Sequence, residues 1–434
     1  MKIYRYASTA ARKKLERIIN RGTDYSRKNY QQVEAIIRDL RANQHAALEK
    51  YTRRFDAPSL TADRFKVTRD EMTAAAGQVD KSFSRALNRA ARQITAFHQE
   101  QKSASWFNTP RPGVLVGQRV TPVESAGIYV PGARGGETPL VSTVLMGAIP
   151  AKTAGVPRVA MVTPPRSDGS VSPHLLVAAR KVGVDEIYKV GSAWAIAALA
   201  CGTATIPRVD MIAGPGNLYV ALAKRILAGT VGIDILAGPS EILIIADASA
   251  DPAHLAADLL SQAEHDELSA AVLITPDEAV AEKTAVEIER QLDRLKRKTT
   301  AEKALAGYGG LFVVDGLKTA FELANRFAPE HLELQIENPF DWLEAVRNAG
   351  AVFLGGYTPE PVGDYVAGPN HTLPTAGSAR FSSALSTSDF MKKTSIVRYT
   401  AAALRREAAD VICLAETEGL DAHAHAVRAR LDKK

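Results

Sequence analysis

From Gly113 onward the chain alternates short Val- and Ile-rich runs with amphipathic stretches, and that alternation confines it to a parallel α/β construction. A first series of strand-like runs is Gly127 to Val130, Val159 to Thr163, Glu186 to Val190 and Val209 to Ala213. A second is Ile242 to Asp247, Ala271 to Thr275, Gly310 to Val314, Leu332 to Gln335 and Ala351 to Leu354. Two series predict two α/β domains, with the break near Ala237 to Ser240. Residues 1–105 read as mostly helical, with a capping Ser or Thr ahead of several periodic stretches, and carry no legible chemistry. Beyond Phe390 a last stretch is expected to be helical, notably Ala401 to Thr417 and Ala422 to Leu431. It is too small for a core of its own and is expected to pack on something else, a partner subunit being the candidate.

Composition narrows the function classes. At 434 residues, 46% hydrophobic and 24% charged, the chain has enough material for two or three cored domains, which excludes disorder, collagen and coiled coil as the main architecture. No apolar run approaches the roughly 20 residues of a membrane span and no signal-peptide stretch is seen, so the cytoplasm is the expected compartment. The net charge of +6 originates in residues 1–56, where 14 Lys and Arg against 6 Asp and Glu give +8, the remainder being near neutral at −2. Those charges are interleaved at helical spacing with Leu15, Ile18 and Ile19, then Val33, Ile36, Ile37 and Leu40, so amphipathic helices with solvated basic faces are expected rather than a nucleic-acid surface. Cys201 and Cys413 show no metal or redox spacing and are expected to be core filler.

Four clusters carry candidate chemistry. In Asp251 to Glu267, Asp251-Pro252 starts a helix, and Gln262 and His265 one turn apart can share a ligand. In FAPEHLEL, Phe327 to Leu334, Pro329 turns Ala328 away from helix and sets Glu330 and His331, a pair suited to acid/base work, at the mouth of a strand. Gly355 to His371 is too rich in Gly and Pro for a helix and holds Asp364 and His371 in turns. In Glu416 to Ala426, Gly419 ends one helix and His423 lies in the next. These supply N and O ligands without a thiolate, which suits zinc or manganese. Gly214-Pro215-Gly216-Asn217 separates a strand from a helix and is placed for a phosphate, whereas Gly238 to Glu241 reads as a plain turn. Spacing alone stops at an α/β enzyme with a His/Asp/Gln metal site, leaving a zinc hydrolase or lyase open beside a dehydrogenase.

Taken together, YVPG (Tyr129 to Gly132), VDMIAGPGNLYVALAKR (Val209 to Arg225), IDILAGPSEILIIAD (Ile233 to Asp247), DLLSQAEHD (Asp258 to Asp266), FAPEHLEL, VGDYVAGPNHTLPTAGSARFSSALS (Val362 to Ser386) and EGLDAHAHAVRAR (Glu418 to Arg430) resemble the histidinol dehydrogenase family, from about residue 25 to the end. The resemblance implies two incomplete Rossmann-like domains, a homodimer with shared active sites, one zinc per site, and two successive NAD-dependent oxidations of L-histidinol to L-histidine through the aldehyde. It implies an N-terminal helical segment over residues 1–24 and a first α/β domain from 25–130 and 240–384 carrying the zinc. The cofactor domain would be 131–239, and a helical tail, 385–434, would cross to the partner. By resemblance the zinc ligands are Gln262, His265, Asp364 and His423, the last from the other subunit's tail. These four with Ser240, His331, His371 and Glu418 are the implied substrate-binding set. Glu330 and His331 are the implied catalytic pair, and Tyr129, Trp194 and Asn217 the implied NAD contacts. Near the cofactor the chain departs from the family pattern: Gly191 to Ala197 reads GSAWAIA where relatives read GGAQAIA, and the loop 132–140 looks longer than usual. A relative oxidising another small polar alcohol is the competing substrate reading.

Overall fold

The computed structural model describes residues 1–21, 26–133, 138–236 and 238–431. The expected boundary at residues 24 and 25, the middle of the 132–140 loop, Ala237 at the expected break and the last three residues fall outside these. The described chain is a mixed α/β protein with two compact units, residues 1–101 with 124–390, and residues 102–123 with 391–434.

The first unit holds two all-parallel sheets, as the alternation of strand and helix demands. The larger has six strands in the order Ile3–Arg5, Gly309–Val313, Ala270–Thr275, Glu241–Ala246, His331–Gln335 and Ala351–Leu354. The smaller has five, in the order Gly232–Ile233, Met211–Ala213, Ser125–Tyr129, Arg158–Thr163 and Glu186–Lys189. Their central strands are continuous apolar runs because helices cover both faces; Ile242 to Ala246 is sealed from solvent. Ile3–Arg5 is the exception to the helical reading of the N-terminal stretch. It is too short to show a period, and gains its structure by pairing Ile3 with Leu311 at the sheet edge.

The remaining N-terminal region is helical as expected. Ser8, Ser26 and Thr68 each cap a helix with the side-chain oxygen. Helix Arg27–Phe55, kinked at Gln44, buries Val33, Ile37 and Leu40 in one cluster with Trp194, Ile196 and Leu199 of helix Ser192–Cys201. Each such side chain contributes roughly 1.5–3 kcal/mol. The basic residues stand on the opposite face, as the sequence pattern requires.

The second unit differs from expectation. The stretch after Phe390 opens with a strand, Met391–Tyr399, which pairs antiparallel along its whole length with Val114–Pro122, itself paired with Trp106–Arg111. Thr394, Ile396 and Val397 favour a pleated strand once a neighbour exists, and that neighbour lies far off in sequence. Helices Ala401–Thr417 and Asp421–Leu431 follow, with Gly419 in the left-handed region between them. Cys201 is half-buried and packs against the core cluster around Leu199, as expected, whereas Cys413 is exposed and not core filler, its apolar neighbours lying on a surface helix. Among the described residues no helix is long and apolar enough to cross a membrane.

One glycine carries a backbone demand. Gly214 ends strand Met211–Ala213 at φ +116°, and a Cβ there would land on the Tyr129 carbonyl oxygen of the neighbouring strand. Strain and clash add, so Gly214→Ala should destabilise the protein by more than about 2 kcal/mol. Chemical denaturation with an unchanged m-value is the check.

Candidate active site

The helix Leu317–Phe327 stops because Ala328 adopts φ 54°, ψ 63°, a left-handed conformation costly for a residue with a Cβ, and Pro329 blocks continuation. The chain then enters strand His331–Gln335, which places Glu330 and His331 at its amino-terminal end. His331 is in register with Ile242 and Ala351 on the flanking strands, so the site lies where three parallel strands begin. The more usual crevice lies at the carboxyl ends.

Both residues are held by Glu241. The Glu241 N–H donates to Glu330 Oε2 at 2.9 Å, and the Glu330 N–H donates to Glu241 Oε2 at 3.1 Å. The Glu241 carbonyl lies 2.9 Å from His331 Nδ1. A carbonyl only accepts, so Nδ1 carries the proton and the Nε2 lone pair points away. Nε2 is 3.7 Å from Glu360 Oε1, and Glu330 Oε2 is 3.8 Å from Nδ1. Burial pulls the imidazole down to about 4 against the opposing pull of Asp364, which leaves His331 neutral near pH 7. Burial, reinforced by the Glu241 charge, raises Glu330 well above the usual carboxyl range.

Helix Pro252–Ala263 begins as expected, with Asp251 accepting from the Ala253 N–H at 2.8 Å. Gln262 stands in its last turn, buried, its Oε1 without a hydrogen-bond partner. His265 lies just past the helix and is exposed; its N–H donates to the Gln262 carbonyl. The segment expected to be too rich in Gly and Pro for a helix contains one, Glu360–Tyr365, with Asp364 inside it. Pro359 and Pro361 sit at its start, where a missing N–H costs nothing. His331, Glu360 and Asp364 offer ligand atoms within 4.8 Å of one another and can hold a metal ion. His265 and His371 stand close enough for their charge to disfavour protonation of His331. His371 Nε2 is 3.1 Å from Ser142 Oγ. Ser240 is half-buried, one residue before the strand that carries Glu241. Glu418 and His423 belong to the second unit, at the end of one exposed helix and the start of the next.

Sequence reasoning passed over Glu241, Glu360, Glu333 and Asp258. Glu333 accepts from the Glu360 N–H at 2.9 Å, and Gln335 Nε2 donates to both Asp258 and Glu333. Burial raises Asp258 to about 6 and Glu360 to about 9, with Asp364 adding to the latter. The signal was present: in HLELQ the polar residues 331, 333 and 335 recur with period two, one polar face on a buried strand.

On the smaller sheet, Tyr129 is buried and its hydroxyl accepts the Ser192 N–H at 3.1 Å. Trp194 is 6% exposed and stacks on Tyr51 and Phe55 at ring distances of 6.0 and 5.4 Å. Asp56, pushed up to about 7 by burial, faces the indole N–H. Asn217 is exposed, and its Oδ1 accepts from the Tyr219 and Val220 N–H groups, capping helix Leu218–Leu227.

A family model described as histidinol dehydrogenase matches residues 19–431. The chain belongs to the histidinol dehydrogenase family. It is 53% identical over 421 residues to the histidinol dehydrogenase of Synechococcus sp., covering 97% of this chain and 96% of that one. It is 52% identical over 417 residues to that of Geobacter sulfurreducens, covering 95% and 96%. The crystal structure of histidinol dehydrogenase from Elizabethkingia anophelis superposes with a TM-score of 0.93 at 39% identity, covering 99% and 98%. The chain is thus an oxidoreductase of histidine biosynthesis acting on a small-molecule substrate.

Within this chain, Trp194 is packed on two rings of helix Arg27–Phe55. Trp194→Ala should therefore cost about 3–5 kcal/mol in stability. Trp194→Phe, which keeps the ring stacking, should retain most of that, as thermal and denaturant unfolding of the pair will show.

Proposed function

We propose that the enzyme oxidises L-histidinol in two NAD-dependent steps to L-histidine, with His331 moving the alcohol proton and Glu330 activating the water that hydrates the aldehyde. The observation that supports this most directly is the state of His331: buried, neutral, with Nδ1 donating to the Glu241 carbonyl, and so presenting an unprotonated Nε2 that can accept a proton. A raised proton affinity makes Glu330, in its ionised form, a stronger base towards water than an ordinary surface carboxylate.

Zinc fits the residues present. The Gln262 oxygen is buried without a partner, an arrangement that costs free energy unless something outside the chain takes it up. Gln262, His265 and Asp364 would hold the ion together with His423 from a second copy, an N/O set suited to zinc. When bound, the metal supplies a Lewis-acid anchor for an amino alcohol bearing an imidazole. Ser240, His371 and Glu418 complete the substrate contacts, the last suited to an ammonium. NAD supplies the hydride acceptor, and Tyr129, Trp194 and Asn217 mark its cleft on the smaller sheet. Asn217 keeps its amide nitrogen for the ligand while its oxygen caps the helix. Tyr129 and Trp194 act there as buried support. The assignment of residues 131–239 to a Rossmann-like cofactor domain and of 25–130 with 240–384 to the metal-bearing one rests on the same resemblance, and the expected cytoplasmic location is in keeping with a family of biosynthetic enzymes.

A homodimer is favoured by the second unit. Its buried apolar side chains are small, Ala403, Ala408, Ala415 and Ala424 beside Val114, while Trp106, Phe107, Val397 and Leu414 are more than half exposed. So small a core with so much exposed apolar surface is characteristic of a segment completed by a partner.

For the metal, His265→Asn and Asp364→Ala should each lose zinc and activity together, read by elemental analysis beside NADH formation from histidinol. Full zinc occupancy in either variant would reject the ligand set. For the chemistry, His331→Asn should slow alcohol and aldehyde oxidation alike by roughly 10² to 10⁴. Glu330→Gln should slow conversion of histidinaldehyde more than the first hydride transfer in single-turnover measurements. Equal losses in both steps would remove the division of labour between the two residues.

A further inference from the structure

The N-terminal stretch in which no chemistry was legible sends one side chain to the site. Arg21 is buried, and its Nη2 lies 3.1 Å from Glu241 Oε1, with both side chains 2% exposed. The same guanidinium donates to the carbonyls of Ile18, Ser240, Pro239 and Leu268 at 3.1, 3.2, 3.4 and 3.0 Å. It therefore ties the start of strand Glu241–Ala246 to the end of the first helix. Glu241 Oε1 also accepts the Ala376 N–H at 3.1 Å, and Ala376 holds a left-handed φ of 51°. Each carboxylate oxygen of Glu241 thus has a fixed donor, with Oε2 on the Glu330 N–H and Oε1 on Ala376 and Arg21.

We propose that Glu241, fixed by Arg21, is the positioning residue of the catalytic pair. Its carboxylate holds the Glu330 backbone, its N–H holds the Glu330 side chain, and its carbonyl fixes the His331 tautomer. The inference rests on Glu330 and His331 being the proton-handling groups. Neither Arg21 nor Glu241 needs to touch substrate. A planar guanidinium is required here because one side chain must reach a carboxylate and four carbonyls at once; the compact ammonium of lysine has only three donors.

The test compares Glu241→Gln, Arg21→Met and the double variant with Glu330→Gln, as full-length zinc-loaded enzyme with rates expressed per folded chain. An amide at 241 keeps the shape and the backbone bonds but replaces one acceptor oxygen with a donor, which cannot serve its N–H partners. Glu241→Gln should lower kcat by 10- to 100-fold, leave the KM for histidinol within about threefold and retain zinc. Its loss should fall on the same half-reaction that Glu330→Gln slows. Arg21→Met leaves a buried carboxylate without its cation, so the double variant should be no slower, and better folded, than Arg21→Met alone. A Glu241→Gln enzyme with kcat within twofold of the parent, beside a disabled Glu330→Gln, would overturn the positioning role while leaving the catalytic pair intact. Losses that multiply in the double variant would equally overturn it. If Glu330→Gln and His331→Asn are themselves near full activity, the catalytic reading fails instead.

Discussion

A carboxylate at the start of a buried parallel strand must find donors within the protein, and in this enzyme the search for donors builds the site. Glu241 and Glu330 begin neighbouring strands, and each gives its backbone N–H to the other's side chain. Two groups that would each be expensive to bury become mutual partners. Parallel pairing sets Ile242 opposite His331, so the exchange also fixes the register at which strand His331–Gln335 enters the sheet. His331 then meets the Glu241 carbonyl by geometry already determined.

Charge in so dry a region is controlled by how many groups remain ionised. Glu330, Glu333 and Glu360 all have raised proton affinities because burial penalises their charged forms and the neighbouring acids repel one another. Arg21 is the cation paired with Glu241, and among the described residues no other Lys or Arg forms an ion pair with Glu330, Glu333 or Glu360. A region with that many carboxyl groups and so few fixed cations either keeps protons or takes up a metal ion. His331, Glu360 and Asp364 offer atoms for the second course, while burial raises the proton affinity of Asp258 and, together with repulsion from Asp258, that of Glu333, both of which accept from Gln335 Nε2.

The parts legible in the sequence were those encoded locally. Apolar runs, caps and turn residues marked the parallel strands, the helix start at Asp251-Pro252 and the break at Ala328-Pro329, because each acts through its own backbone. Strand Met391–Tyr399 was hidden, since its pairing partner lies far away in the chain, and Ile3–Arg5 was too short to show a period. Helix Glu360–Tyr365 was hidden for another reason: prolines at its start look like breakers until their position relative to the helix is known. Motif pointed to Gln262, His265, Glu330, His331 and Asp364, whereas Glu360, Arg21 and Glu241 were missed, the last two because the contact between them spans 220 positions of sequence.

Trp194 shows how a bulky side chain in an alanine-rich helix can be held by packing. An indole at this position extends the alanine-rich helix Ser192–Cys201 towards Tyr51 and Phe55, where it forms a three-ring stack and turns its N–H to Asp56. A side chain of that size, buried against two aromatic rings, is retained by packing worth several kcal/mol. The same helix begins at Ser192, whose N–H is bonded to the Tyr129 hydroxyl, so the ring stack braces the element that orients Tyr129. The packing of Trp194 therefore acts on its surroundings through the placement of Ser192 and Tyr129, so what this indole controls is the position of the helix rather than a ring contact with anything outside the fold.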